Sequence, residues 1–109
     1  MRLITAVLPT AGFERVHEAL RTLGIPGMTV STVFAQGVRP PQYEVYRGVR
    51  RRIDFLPAVR VDIVAAESDA EDVVHVIAVA AAGVGGAVWV QPVERVVRIR
   101  TGERGESAL

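Results

Sequence analysis

Two stretches of helical periodicity, each set between short runs of branched aliphatic residues, constrain this chain more than any other feature. From Phe13 onward, Phe13, Val16, His17, Leu20 and Leu23 fall at helical spacings, with Glu14, Arg15, Glu18 and Arg21 on the opposite side. Val73, Val74, Ile77, Ala80 and Ala81 make a second apolar stripe. It is preceded by Ser68-Asp69-Ala70-Glu71, whose S-x-x-E spacing predicts a capping box at the helix start. Gly24 is the C-cap candidate of the first helix, and Gly83-Val84-Gly85-Gly86 ends the second. Residues 2–8, 28–34, 59–65, 87–90 and, more briefly, 96–100 read as strands. In 59–65, Val59, Val61, Ile63 and Ala65 alternate with Arg60, Asp62 and Val64, which gives that strand one more polar face. The order strand, helix, strand, strand, helix, strand predicts an α+β fold of the ferredoxin-like βαββαβ kind, with both helices on one sheet face. The other face is left to be covered.

With 109 residues, the chain is expected to form one domain over 1–101, followed by a flexible tail at 102–109. Half the residues are hydrophobic, enough for a core, but a domain this small leaves apolar surface exposed and favours oligomerisation. There is no cysteine, which excludes thiolate metal sites and cysteine nucleophiles. His17 and His75 lack carboxylates at metal-ligand spacing, so no metal site is expected. The acids form no nucleophile–base pattern, and an enzyme is not expected. Thirteen arginines against twelve acids give a net charge of +1, which argues against direct nucleic-acid binding. No stretch approaches the ~20 apolar residues of a membrane span, and the apolar start is too short for a signal peptide; a cytoplasmic location is the expectation.

Residues 37–53 hold two glycines, Pro40-Pro41, two tyrosines and Arg50-Arg51-Arg52, with little apolar periodicity. They read as an exposed excursion, and a loop of that length in a small domain is usually functional. Arginines stand beside strand-like residues again in Arg95-Val96-Val97-Arg98-Ile99-Arg100. Together with Gly27-Met28-Thr29-Val30, Tyr46-Arg47-Gly48, Asp54-Phe55-Leu56-Pro57 and Val97-Arg98-Ile99-Arg100-Thr101-Gly102-Glu103, these segments make the chain resemble the PII signal-transduction family over nearly its whole length.

That resemblance implies a homotrimer that binds an adenine nucleotide in clefts between subunits and controls a membrane transporter or metabolic enzyme through a long T-loop, here about 37–55. Arg98 and Arg100 stand at the positions of the family's phosphate-facing arginines, and as neighbours two apart on a strand they are expected on one face. Thr29, Asp62 and Val64 fall at the adenine and ribose region, Gly37 at the loop base, and Gly85 and Gly86 in the phosphate-cradling turn. Threonine is also simply a good β former, and glycines are also simply a helix stop. Partner contact is implied for Arg39, Tyr43, Tyr46, Arg47, Arg50, Arg51 and Arg52.

The departures from the family pattern are as informative. The turn at 82–87 is about three residues shorter by motif alignment and lacks the usual aspartate and lysine, which favours ADP or AMP over ATP. Gly37-Val38-Arg39 replaces glycine-arginine-glutamine, and Ala58 replaces a lysine, so the pair of side chains that relatives use for 2-oxoglutarate is missing. Arg51 stands where many relatives carry a modifiable tyrosine. Two other readings stay open: a sensor of bicarbonate or another small anion, and a ligand-free trimeric interaction scaffold.

Overall fold

The computed structural model describes residues 1–109. Strand β1 (Arg2–Pro9) feeds through a short 3-10 turn (Thr10–Gly12) into helix α1 (Phe13–Leu23). That helix stops where the sequence says it should. Gly24 adopts the left-handed conformation (φ 96°), and its N–H donates to the carbonyls of Leu20 and Arg21 at 3.2 and 3.0 Å. Next come β2 (Thr29–Ala35), β3 (Gln42–Tyr46), β4 (Val49–Ile53), β5 (Leu56–Ala65), α2 (Ala70–Ala80) and β6 (Ala87–Pro92).

Four strands form one antiparallel sheet in the order β2-β5-β1-β6, with β1 and β5 at its centre. Because side chains alternate across a strand, the pairings Ile4↔Ile63, Ala6↔Val61 and Leu8↔Val59 put one apolar row on one face. Val16 and Leu20 of α1 and Val73, Ile77 and Ala80 of α2 close over that row to make the core. This is the ferredoxin-like α+β arrangement, with both helices on one side. The opposite face is free of helices. Across it the register lines up Thr29, Asp62, Thr5 and Trp89 from the four strands in turn.

Four expectations are corrected. The excursion at 37–53 is not an irregular loop: β3 and β4 pair as a separate two-stranded hairpin, turned by Arg47 (φ 50°) and Gly48 (φ 78°). Positive φ at both central residues is what a tight hairpin turn requires. Residues 96–100 are not a fifth strand of the sheet. Val97 makes only an isolated bridge to Arg104, while the Arg98 N–H donates to Glu103 O and Gly102 N–H returns to Arg98 O. The tail is not loose either, because Gly105–Ala108 forms a 3-10 turn and Ala108 is buried. The capping box does not form: α2 begins at Ala70 with Asp69 at its N-cap and no side-chain cap. Ser68 instead lies in a tight turn in which Asp69 N–H already reaches Ala66 O, and Glu71 with Asp72 complements the helix dipole.

The hairpin stands away from the packed body. Every residue of β3 and all but the last of β4 are exposed, and the molecule measures 59 × 26 × 20 Å. Stability should therefore separate cleanly between the two parts. Leu20→Ala, in the core, is expected to cost about 2–5 kcal/mol in chemical denaturation. Val45→Ala on the hairpin should change it by less than about 0.5 kcal/mol.

Candidate functional site

The Thr29–Asp62–Thr5 row lies beside an open groove of about 980 Å³. One wall is the segment that enters β2, Ile25 to Thr29. The floor is Leu3, Arg60, Asp62 and Val64, and the far wall is Val96, Arg98 and the 3-10 turn, through Glu106, Ala108 and Leu109. Of the sequence-predicted nucleotide residues, Thr29, Asp62, Val64 and Arg98 meet here. The C-terminal residues are an addition, placed by the packing of a segment that composition alone marks as a tail.

Asp62 is the fixed charge of the groove. Thr5 Oγ1 donates to its Oδ1 at 2.7 Å, and Arg60 Nε donates to its Oδ2 at 3.0 Å. The Arg60 bond is the main reason the Asp62 carboxyl is held below its ordinary range; partial burial opposes it, and Thr5 adds a smaller favourable contribution. Thr5 is itself completely buried. Neither partner was singled out by sequence reasoning. The signals were there, since Arg60 shares a strand face with Asp62, and Thr5 is the one hydroxyl in an apolar strand.

Arg98 is held differently from the expectation. Its Nε donates to Ala108 O at 3.0 Å, so the 3-10 turn anchors the guanidinium. Arg100 does not line the groove, and no strand places the two arginines on a common face. The spacing argument failed because the backbone there is tied into a turn rather than a ladder.

The remaining predicted residues gather at the other end of the sheet. Gly85 and Gly86 have φ of 101° and 113°. A Cβ on Gly85 would lie 3.1 Å from Val38 O, and one on Gly86 would lie 2.5 Å from Val7 O. The glycine turn is thus pressed against β1 on one side and the base of the hairpin on the other. A smaller cavity of about 260 Å³ opens there, lined by Leu8, Ile77 and residues of the turn. Gly37 belongs to this end through its neighbour Val38, and Arg39 at the hairpin base keeps a buried Nε with no hydrogen-bond partner. Leu3 lines the groove and Leu8 the second cavity, and five residues of extended strand separate them by about 17 Å. One chain therefore holds the predicted nucleotide residues in two separate places rather than in one closed pocket. The other predicted residues, Tyr43, Tyr46, Arg47, Arg50, Arg51 and Arg52, lie on the hairpin and line neither cavity.

In its own chemistry the groove is mixed. Leu3, Ile25, Met28, Val64 and Val96 give it apolar walls, Thr29 offers a hydroxyl, and the charges of Arg60 and Arg98 are offset by Asp62, Asp69 and Glu106. That suits a flat, partly apolar group with hydrogen-bonding edges better than a chain of phosphates. No helix is long and apolar enough to cross a membrane.

The model of the family described as "Nitrogen regulatory protein P-II" matches residues 1–103. The nitrogen regulatory protein GlnK of Escherichia coli (strain K12) is 38% identical over 112 aligned positions that cover all of both chains. The nitrogen regulatory proteins P-II of Azospirillum brasilense and Rhizobium meliloti (strain 1021) are each 39% identical, again over 112 positions and the whole of both chains.

Two outcomes follow from the site's geometry. Gly86→Ala should destabilise the fold by about 1–3 kcal/mol, since both the φ angle and the Val7 carbonyl oppose a side chain; a thermal melt reads the effect. Asp62 has a folded pKa below its unfolded value of about 4, so its contribution is present above that pH and is lost as pH falls through the folded value. Asp62→Asn should accordingly cost about 1 kcal/mol near neutrality, with the wild-type advantage shrinking below about pH 4 in denaturation curves.

Proposed function

The chain belongs to the nitrogen regulatory protein P-II family, whose members are regulatory proteins and not enzymes, and from that premise we propose that it is a cytoplasmic homotrimer that binds an adenine nucleotide between subunits and controls a transporter or metabolic enzyme through its hairpin. The observation that carries this reading is the division of the candidate site. Thr29, Asp62, Val64 and Arg98 lie on the helix-free face near one end of the sheet, and Gly85, Gly86 and the hairpin base at the other end of the sheet. A ligand that uses both sets needs a second copy of the chain to bring them together. The uncovered face, with Trp89 and Val64 exposed on it, supplies apolar surface for that contact.

The base and ribose fit the mixed groove, with Thr29 and Asp62 as polar partners. The phosphates fit the glycine turn of the neighbouring copy, whose positive-φ backbone can turn amides toward an anion, with Arg98 and Arg100, which has no carboxylate partner, to draw on. With neither lysine nor aspartate in that turn, ADP or AMP is the expected effector in preference to ATP. Ala58 is buried in the sheet, and Arg39, at the glutamine position, is a cation with no acceptor to offer magnesium, so neither can supply the contacts that 2-oxoglutarate needs. Control of the partner follows from position: the turn abuts Val38, so a ligand seated at the turn favours one hairpin orientation over others.

The buried, unpartnered Nε of Arg39 favours a second reading, a site for bicarbonate or another small anion at the hairpin base. Calorimetric titration with ATP, ADP and AMP at matched magnesium and salt separates these possibilities. Saturable binding is expected, tighter for ADP than for ATP, and weakened at least about tenfold by Arg98→Ala. Bicarbonate binding that is lost on Arg39→Gln, with no response to nucleotide, would favour the anion sensor. No heat with any ligand at millimolar concentration would overturn both and leave a ligand-free scaffold.

A further inference from the structure

The arginine triplet is not one uniform basic patch. In the hairpin, Tyr43↔Arg52 and Val45↔Arg50 share one face, while Glu44↔Arg51 and Tyr46↔Val49 share the other. Arg51 faces the Glu44 carboxylate at 3.6 Å, and Arg52 is paired with Asp54. Arg50 alone of the three has no carboxylate. Its guanidinium lies over the Tyr43 ring at 4.0 Å, a cation–π contact that orients the group while its N–H donors remain without an acceptor. Beside it, Tyr43 and Val45 are 51% and 72% exposed. This face therefore combines one uncommitted, pre-oriented cation with apolar surface that nothing in the chain covers.

We propose that this face docks an acidic segment of the regulated protein, with a carboxylate of that segment accepting the Arg50 fork and apolar side chains beside it covering Tyr43 and Val45. The inference rests on the reading of the hairpin as the partner-contacting element and specifies what that partner must present. The charge layout selects among the possible classes. A lipid surface attracts basic residues at about 1 kcal/mol each, so Arg50 together with Arg47, which lies over the Tyr46 ring at 5.3 Å with no carboxylate of its own, gives little adhesion. Nucleic-acid affinity likewise grows with the number of phosphates neutralised, and the whole chain carries only +1. A single stacked guanidinium flanked by apolar side chains is instead the composition of a protein–protein contact centre.

The test uses the full chain and a fluorescently labelled peptide of glutamates interspersed with leucines, followed by anisotropy near physiological salt. Arg50→Gln should weaken binding about tenfold. Arg15→Gln, which removes the same charge from the exposed side of α1, should change it by less than about twofold. The double change Glu44→Gln with Arg51→Gln, neutral in net charge, should also change it by less than about twofold. Equal losses for Arg50→Gln and Arg15→Gln would overturn the proposal in favour of general charge attraction, as would the absence of peptide binding. Phosphatidylserine vesicles or single-stranded RNA bound more tightly than the peptide, with loss on Arg50→Gln, would overturn it in favour of those classes. Thermal melts of each variant establish that the fold is intact, and an ADP titration on the same samples separates the two readings. An intact ADP response with no peptide binding removes only the docking proposal, and peptide binding without an ADP response removes only the nucleotide reading.

Discussion

The antiparallel pairing of β1 with β5 is the constraint on which the rest of the structure depends. One register sets both faces at once: Ile4 opposite Ile63 and Ala6 opposite Val61 toward the helices, Thr5 opposite Asp62 on the other side. A slip by one residue would turn the apolar row to solvent and bury Arg60 and Asp62 beneath the helices. The cost of burying those charges is what makes the register unambiguous. Packing therefore positions the polar centre of the groove, although none of the groove's chemistry takes part in the core.

The same pairing explains why the two groups of predicted residues stand apart. The β1 and β5 strands run eight and ten residues through the sheet, so elements attached to their opposite ends do not converge within one chain. The segment entering β2 and the C-terminal 3-10 turn meet at the Leu3 end, while the glycine turn and the hairpin base meet at the Leu8 end. On the proposed reading, oligomerisation is a condition for assembling the site, as well as a way of covering an exposed sheet face.

Much of this was legible in the sequence, and the parts that were not share a cause. The helices, the Gly24 cap and the four sheet strands are read from burial periodicity, which is strong wherever side chains enter the core. The hairpin has no such signal, because Tyr43, Val45, Tyr46 and Val49 are exposed and alternation is the only trace left. Arg47-Gly48 was the cue to the turn, overshadowed by the arginine triplet beside it. Residues 96–100 show the opposite failure: their pattern fits a strand, but no sheet edge is available to them, and local bonds to Glu103 and Gly102 take their backbone groups. The resemblance implied a cleft between subunits, but which predicted residues lie at which end of the sheet was further out of reach, since sequence spacing says which residues resemble a binding set and nothing about which ends of a sheet they occupy. Resemblance gathered Thr29, Asp62, Gly85 and Arg98 into one set; strand geometry divides them.

The hairpin's independence from the core also limits how it can be controlled. With its exposed strands contributing nothing to packing, its orientation is set by the short segments at its base, and the Val38 carbonyl against Gly85 is the closest of these contacts to the candidate phosphate end. A contact of that kind, backbone against a residue that cannot carry a Cβ, leaves little slack: a group seated in the glycine turn must either fit beside Val38 or displace it. If the turn seats a ligand as proposed, its coupling to the hairpin is bounded by the difference between those two outcomes, which for a local contact of this size is about 1–3 kcal/mol. That is enough to change partner affinity by one to two orders of magnitude, as about 1.4 kcal/mol corresponds to a factor of ten. It is too little to force the hairpin into a single state, so a partner that reads it must contribute binding energy of its own, and the uncommitted Arg50 over Tyr43 is where the hairpin has such energy to offer.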